Sequence, residues 1–366
     1  MRKSSFDKWL VTLALVAVIA GAVWHFVKSN RAAPEQKQKQ IGTESFSFGS
    51  EDFHPYYLSS VPRPTKGQPE GDAGFEKLPR AKVEAWLAKH NRDAMSLLTA
   101  FRALDDTNYL NEAAVSFPNN SQVELAVLAH DEFPADRRIW LDLFKTSSPS
   151  NSLANYLSAQ DDFKNGHTEA AVQELLAATG KSQFDTYNTE NRLDSENLYS
   201  GSGDSPGEAA TFAMADMAKE DLPELATFKR LAQGIRDTQQ QYLNSGDSGS
   251  AANLVQMGMQ FGNQIETGDS GKYLINQLVG MAVESIMLQQ LNPNTSYDFL
   301  GGQTPGQVTQ QNKQQKLALH QTISAFDALR PSLTDDEIAG YYDRTKIYGE
   351  IEAMKWVIQQ HPSSNP

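Results

Sequence analysis

Cysteine is absent from the 366 residues. Disulfides, thiolate zinc sites and cysteine nucleophiles are excluded with it. Positive charge is scarce beyond the first 40 residues. The chain carries 32 Lys/Arg against 45 Asp/Glu, a formal net charge of −13. Seven of the basic and two of the acidic residues lie in 1–40, so the rest holds 25 basic and 43 acidic residues, a net charge of −18. Such a body repels phosphate backbones and anionic lipid heads, and no nucleic-acid partner is expected. Strand-rich organisation is missing too, which argues against sandwiches and barrels. Metal-binding patterns such as H-E-x-x-H do not occur. No catalytic, cofactor-binding or metal-ligating residues can be named from the sequence, and no cofactor is implied.

What is present begins with one long apolar run, "WLVTLALVAVIAGAVWHFV", residues 9–27. As a helix its 19 residues span roughly 28 Å, close to a hydrocarbon core. Trp9 and Trp24 suit the two interfaces. The rival reading is a cleaved signal peptide. The A-x-A-like "AGA" at 20–22 lies inside the run rather than after it, which favours an uncleaved anchor. Arg2, Lys3 and Lys8 precede the run, while Lys28, Arg31, Lys37 and Lys39 follow it. The positive-inside count is near a tie, and the preferred orientation puts the C-terminal body outside the cytoplasm. The membrane anchor is thus residues 1–28. Residues 29–78 lack either periodicity and read as a tether. It contains "FSFGSEDFHPYY", an aromatic coil that is either plain or a docking segment.

From Pro79 the pattern is helical. Val83, Trp86, Leu87 and His90 share one face, and Asn91 or Asp93 caps the next run of Met95, Leu97, Leu98, Phe101 and Leu104. "FPNN" at 117–120 stops a helix, and Pro134 starts another. In "PSNSLANYLSAQDDFKNGHTEAAVQELLAATGK" one helix is expected from about Ser152 to Lys164. Asn165-Gly166 makes the turn, and a second helix runs from about Thr168 to Thr179. Ala159 is the small residue of a close crossing, and Ala171, Leu175 and Ala178 follow a small-large-small spacing. The Pro118 and Pro149 stops lie 31 residues apart. This stretch resembles a tetratricopeptide repeat, most closely over 149–182 and loosely across 79–181. The first-helix tryptophan position holds Asn155, and the usual tyrosine is replaced by a displaced Phe163. The resemblance implies an α-α superhelix that binds protein partners in a concave groove, and it implies no catalysis.

Residues 182–210 interrupt the period and read as a long loop. Helical pairs are expected over 211–291, with Phe228, Leu231, Ile235 and Tyr242 among the apolar positions. Gly-Asp-Ser-Gly occurs here twice, from Gly246 and from Gly268. The tetrapeptide also surrounds the nucleophile of chymotrypsin-like proteases, but that chemistry needs a base and an orienting acid in a β-barrel fold. Both copies precede helical runs, so each is expected to be a helix joint in which Asp or Ser is the N-cap. Lys272 is followed by Tyr273, which excludes a Walker loop. Gly258, Gly262 and Gly280 inside helices point to close helix approach.

Residues 292–310 read as a linker and 311–361 as C-terminal helices. Leu317, His320, Ile323, Phe326 and Leu329 follow helical spacing, with His320 as a packing histidine. Thr334 and Glu337 predict a capping box ahead of one helix whose stripe is Ile347, Ile351, Met354 and Ile358. The expected fold is therefore all-α: an irregular tetratricopeptide-like superhelix with further helix pairs behind one N-terminal transmembrane helix. The expected function is protein-protein interaction or scaffolding at a membrane, with a protein or peptide partner and a basic segment favoured by the body's charge. The alternative is an all-α enzyme or small-ligand-binding domain with a site assembled across helices.

Overall fold

The computed structural model describes residues 78–362. The proposed anchor and all but the last residue of the tether lie outside the described residues. So do the side chains of 218–225. Among the described residues the fold is all-α, with one isolated bridge between Asn151 and Gln183. No helix among them is long and apolar enough to cross a membrane.

Helix α1 (Arg80–Lys89) leads into three consecutive hairpins. These are α2 (Ala94–Leu104) with α3 (Thr107–Ser116), α4 (Ser121–His130) with α5 (Arg137–Ser147), and α6 (Leu153–Lys164) with α7 (Thr168–Thr179). Short polar residues open the early helices. Asp93 accepts the N–H of Ser96, Asp106 that of Asn108, and Asn120 those of Gln122 and Val123. The α6–α7 hairpin starts and stops where its sequence places it. Gly166 turns the chain at φ +78°, and Ala159, Ala171, Leu175 and Ala178 are fully buried between the helices.

Residues 182–210 are not one loop, because α8 spans Asn188–Gly201. Its buried face is Asn191, Arg192, Ser195, Leu198 and Tyr199, so an apolar stripe is missing from the sequence. Tertiary contacts hold the helix instead. Arg192 is fully buried, donates to the Tyr342 carbonyl at 2.6 Å and lies 5.2 Å from the centre of the Tyr342 ring. Tyr199 donates to Asp216 at 2.8 Å.

Helix α9 (Pro206–Asn244) is the longest element, 39 residues, and opens with a Ser205/Glu208 capping box. It packs along α2, α4 and α6, the first helix of each hairpin. The same helix also packs on α8 and on three later helices: α10 (Ser248–Thr267), α11 (Leu274–Leu288) and α13 (Asp335–Tyr348). The first helices of the three hairpins are thus covered by one long helix of the same chain. Tyr156, Phe184, Phe228 and Phe261 cluster where α6, α9 and α10 meet, with neighbouring ring centres 4.4–6.3 Å apart.

Helices α10 and α11 approach each other closely. Gly262 and Gly280 face one another: a Cβ on Gly280 would lie 2.6 Å from the Gly262 carbonyl, and one on Gly262 would lie 3.0 Å from the Gly280 carbonyl. The 292–310 segment carries a 3-10 turn at Asp298–Leu300, and the first turns of α12 (Pro305–Leu329) already fall inside it. On α12 the buried positions are Pro305, Val308, Asn312, Leu319, Ile323, Phe326 and Leu329. Leu317 and His320 are exposed, so the expected face is corrected by a rotation towards Leu319.

The last helix is also corrected. Gly349, at φ +89°, breaks it into α13 and α14 (Glu350–Gln360), which pack on each other. The expected stripe is split at this corner. Met354 is buried, while Ile347 is exposed at the end of α13.

Candidate functional site

Two concavities collect polar side chains. The first is a groove of about 700 Å³ between the ends of α4 and α6, the start of α5, and α9. Asp131 closes α4 in a left-handed conformation, φ 52°, and sets the groove's corner. Arg137 crosses to it, donating to the Leu128 carbonyl at 2.8 Å and lying 3.3 Å from Asp131 and 3.5 Å from Asp161. Within the groove Gly234 lets α9 approach Phe163 closely; a Cβ at Gly234 would sit 2.8 Å from that ring. The remaining lining is of mixed sign, with Lys164 and Arg230 beside Asp237.

The second is a cleft of about 570 Å³ at the second Gly-Asp-Ser-Gly. The two copies of the tetrapeptide fold differently. In the first, Gly246 ends α9 at φ +83° and Asp247 caps α10 by accepting the N–H of Ser250 at 3.0 Å. Ser248 does not cap. In the second, Asp269–Lys272 is a 3-10 turn, and α11 begins after Tyr273 with no capping side chain from its own segment. The cap expected there is corrected. Gly268 and Gly271 lie so close to the Phe184 and Glu266 carbonyls that the turn is wedged into the body, and Asp269 bonds Lys272 at 2.6 Å instead. Ser270 is 1% exposed and its Oγ has no hydrogen-bond partner, so neither a base nor a substrate reaches it.

Glu266 and Glu284 occupy equivalent places in "GNQIE" (262–266) and "GMAVE" (280–284). Each is four residues after a crossing glycine, and each side chain lies over the other helix's glycine. Burial first, and then the neighbouring Glu284 charge, push the Glu266 carboxyl up to about 8; Lys316 opposes this. Burial also raises Glu284, against a hydrogen bond from Asn312 at 3.1 Å. Around the corner, Asp185, Glu190 and Asp269 each bring a carboxylate oxygen within 4.8 Å of the others. Burial raises Asp185, and the Glu190 and Asp269 charges add to it.

The sequence named no site residue, and this carboxylate group shows why. Its members come from α8, the α7–α8 connection, α10, the turn and α11, which only the fold joins. The repeated G-x-x-x-E was the one local signal available. The described histidines do not converge. His90 bonds the Trp86 carbonyl at 2.8 Å, His130 lies edge-on to Phe101, and His167 is 3.6 Å from Asp162. His361 is 3.0 Å from Glu337.

A scan against protein-family models finds no match, and no curated protein and no solved structure matches the chain.

Proposed function

We propose that this protein is a membrane-anchored interaction module. In this reading residues 9–27 hold it in the membrane, with the body outside the cytoplasm. Its three hairpins are a tetratricopeptide-like array, and a protein partner enters the groove at Asp131, Arg137 and Arg230. The observation that carries the reading is the packing of α9 along the first helix of every hairpin. That array already seats one continuous helix, and the groove left open beside it at the ends of α4 and α6 would take a second linear segment. Small residues buried between α6 and α7 support the same architecture. The partner's charge is revised from the sequence reading: the groove's mixed wall fits a segment carrying both signs better than a uniformly basic one.

The test is site-specific photo-crosslinking of the full chain in its native membranes. A crosslinker at Gln160 or Arg230, in the groove, should give one discrete protein adduct. The same crosslinker at exposed Val115 on α3 should not. Equal labelling at all three positions would remove the groove from the proposal. The absence of any protein adduct would favour the ligand-binding alternative, whose own supporting observation is the acidic cleft.

A further inference from the structure

We propose that residues 186–195, the entry to α8 and its first turns, form a strap that opens away from α13 and the second Gly-Asp-Ser-Gly turn while the rest of the molecule stays folded. This inference does not depend on the groove.

The stretch is docked without apolar burial. Its buried side chains are Thr186, Asn188, Asn191, Arg192 and Ser195, while Leu193 is exposed. The hydrophobic gain that holds the other helices down is therefore missing here. Hydrogen bonds do not make up the difference. Thr186 Oγ1, Thr189 Oγ1, Asn191 Oδ1, Ser195 Oγ and the Nε and Nη1 of Arg192 are buried with no hydrogen-bond partner in the protein. The 3-10 turn Asp269–Lys272 packs against α8, and there Ser270 Oγ and Asp269 Oδ2 are in the same condition. Each such group gives up its water on docking and receives no bond in return. Arg192 adds a charge that cannot be shed by losing a proton. The carboxylates of Asp185, Glu190 and Asp269 crowd the front edge within 4.8 Å of one another, with Lys272 on Asp269 as a partial offset.

Both ends of the stretch are pinned. In front, Phe184 lies in the aromatic cluster, and Asn151 accepts the Asp185 N–H at 3.1 Å. Behind, Glu196 pairs with Lys346 at 2.9 Å, and Leu198 and Tyr199 belong to the apolar core. The front joint is strained. Tyr187 is held at φ +57°, a region that disfavours residues with a side chain, and α8 starts after it with no capping side chain. The strap is tied by polar bonds, among them Arg192 to the Tyr342 carbonyl and the Tyr187–Ser148 hydroxyl pair at 3.0 Å. A segment with so little apolar burial opens locally at a lower free energy than the whole fold. Opening uncovers the Arg192 guanidinium and Ser270, neither of which the closed form offers to another molecule.

The chain has no cysteine, so a single introduced thiol reports opening at its own position. Ser195→Cys tests the strap, and Ser158→Cys in α6 is the comparator; the two serines are 1% and 0% exposed. The full-length variants are labelled in detergent with a chromogenic disulfide over a range of sub-denaturing urea. The thiol at position 195 should react about 100-fold or more faster than the one at 158. Its rate should be nearly independent of urea, whereas the rate at 158 should climb as global unfolding does, because the slope follows the surface exposed. Hydrogen exchange on the unsubstituted chain reads the same motion without a variant. The backbone amides of 192–195 should exchange about tenfold or more faster than those of 157–161 in α6. Equal rates and equal urea slopes at the two thiols, or amides at 192–195 as well protected as those in α6, overturn the proposal, because the segment then opens only with the whole fold.

Discussion

The carboxylate of Glu350 accepts the backbone N–H of Leu274 at 2.9 Å, across 76 residues of chain, and takes the Tyr341 hydroxyl at 3.2 Å with its other oxygen. Helix α11 therefore receives its N-terminal cap from the first residue of α14. Glu350 is fully buried, so neither bond can be replaced by bulk water. Glu350→Ala should cost about 2–6 kcal/mol, since two buried donors lose their acceptor at roughly 1–3 kcal/mol each. Glu350→Gln keeps one acceptor and should cost less. Urea unfolding at pH 7 measures both. A loss under about 1 kcal/mol for the alanine variant would mean the cap is dispensable.

The Gly262–Gly280 crossing gives a graded expectation. Gly280→Ala places a Cβ 2.3 Å from Glu266 Cγ and 2.6 Å from a carbonyl, whereas at Gly262 the nearest atom is 2.8 Å away. Both should destabilise by about 1–3 kcal/mol, Gly280 more than Gly262. Gly249→Ala, with only a 3.7 Å contact in the first turn of α10, is the control and should be neutral or slightly stabilising. Thermal melts of the three variants rank them.

Glu266 makes stability depend on pH in a defined direction. Its folded carboxyl is raised to about 8 while the unfolded one titrates in the ordinary glutamate range. Between these values the native state holds the extra proton, so stability falls as pH rises through this window and is flat above it. The full gap corresponds to about 5 kcal/mol, and partial exposure brings the expected effect to roughly 2–3 kcal/mol. Glu266→Gln should therefore match the parent near pH 4 and exceed it by that amount at pH 9. A constant difference across the range would place the origin elsewhere.

At the first Gly-Asp-Ser-Gly, Asp247 rather than Ser248 caps α10. Asp247→Ala should lower the melting temperature measurably and Ser248→Ala almost not at all. The hydrogen bond to Ser250 also holds the Asp247 carboxyl below its ordinary range. Its share of stability is present above the ordinary aspartate range and is lost as pH falls through the lower folded value. Denaturation at pH 7 and pH 2 should show the penalty of Asp247→Ala shrinking at the acid end.

The sequence is informative where helices carry their own signals and silent where the fold supplies them. The α6–α7 hairpin, the Thr334/Glu337 box and the close approach at Gly262 and Gly280 are local matters of periodicity, capping and side-chain size. Helix α8 escapes notice because its buried face holds a guanidinium, which meets α13, and amides, so its inner face looks like a solvated one. The break at Gly349 is hidden within a continuous helical pattern. Its positive φ makes the corner between α13 and α14, and a Cβ there would also lie 3.2 Å from the Lys272 carbonyl. The two Gly-Asp-Ser-Gly turns have identical letters and unlike structures, since one is solvated and the other is wedged against Phe184 and Glu266. The cleft is assembled from segments far apart in the chain, and no spacing within any one of them marks it.

The length and position of α9 have a consequence for synthesis. The hairpins are made first, yet α2, α4 and α6 complete their burial only against a helix that ends at Asn244. From the end of α6 at Lys164, the ribosome must add roughly 80 residues, about 4–16 s at 5–20 residues per second. During that interval the nascent chain presents an unfinished apolar surface to every neighbour. Folding of this molecule is thus tied to elongation past Asn244, and a stall before that point would leave a species suited to a holding chaperone and prone to aggregate.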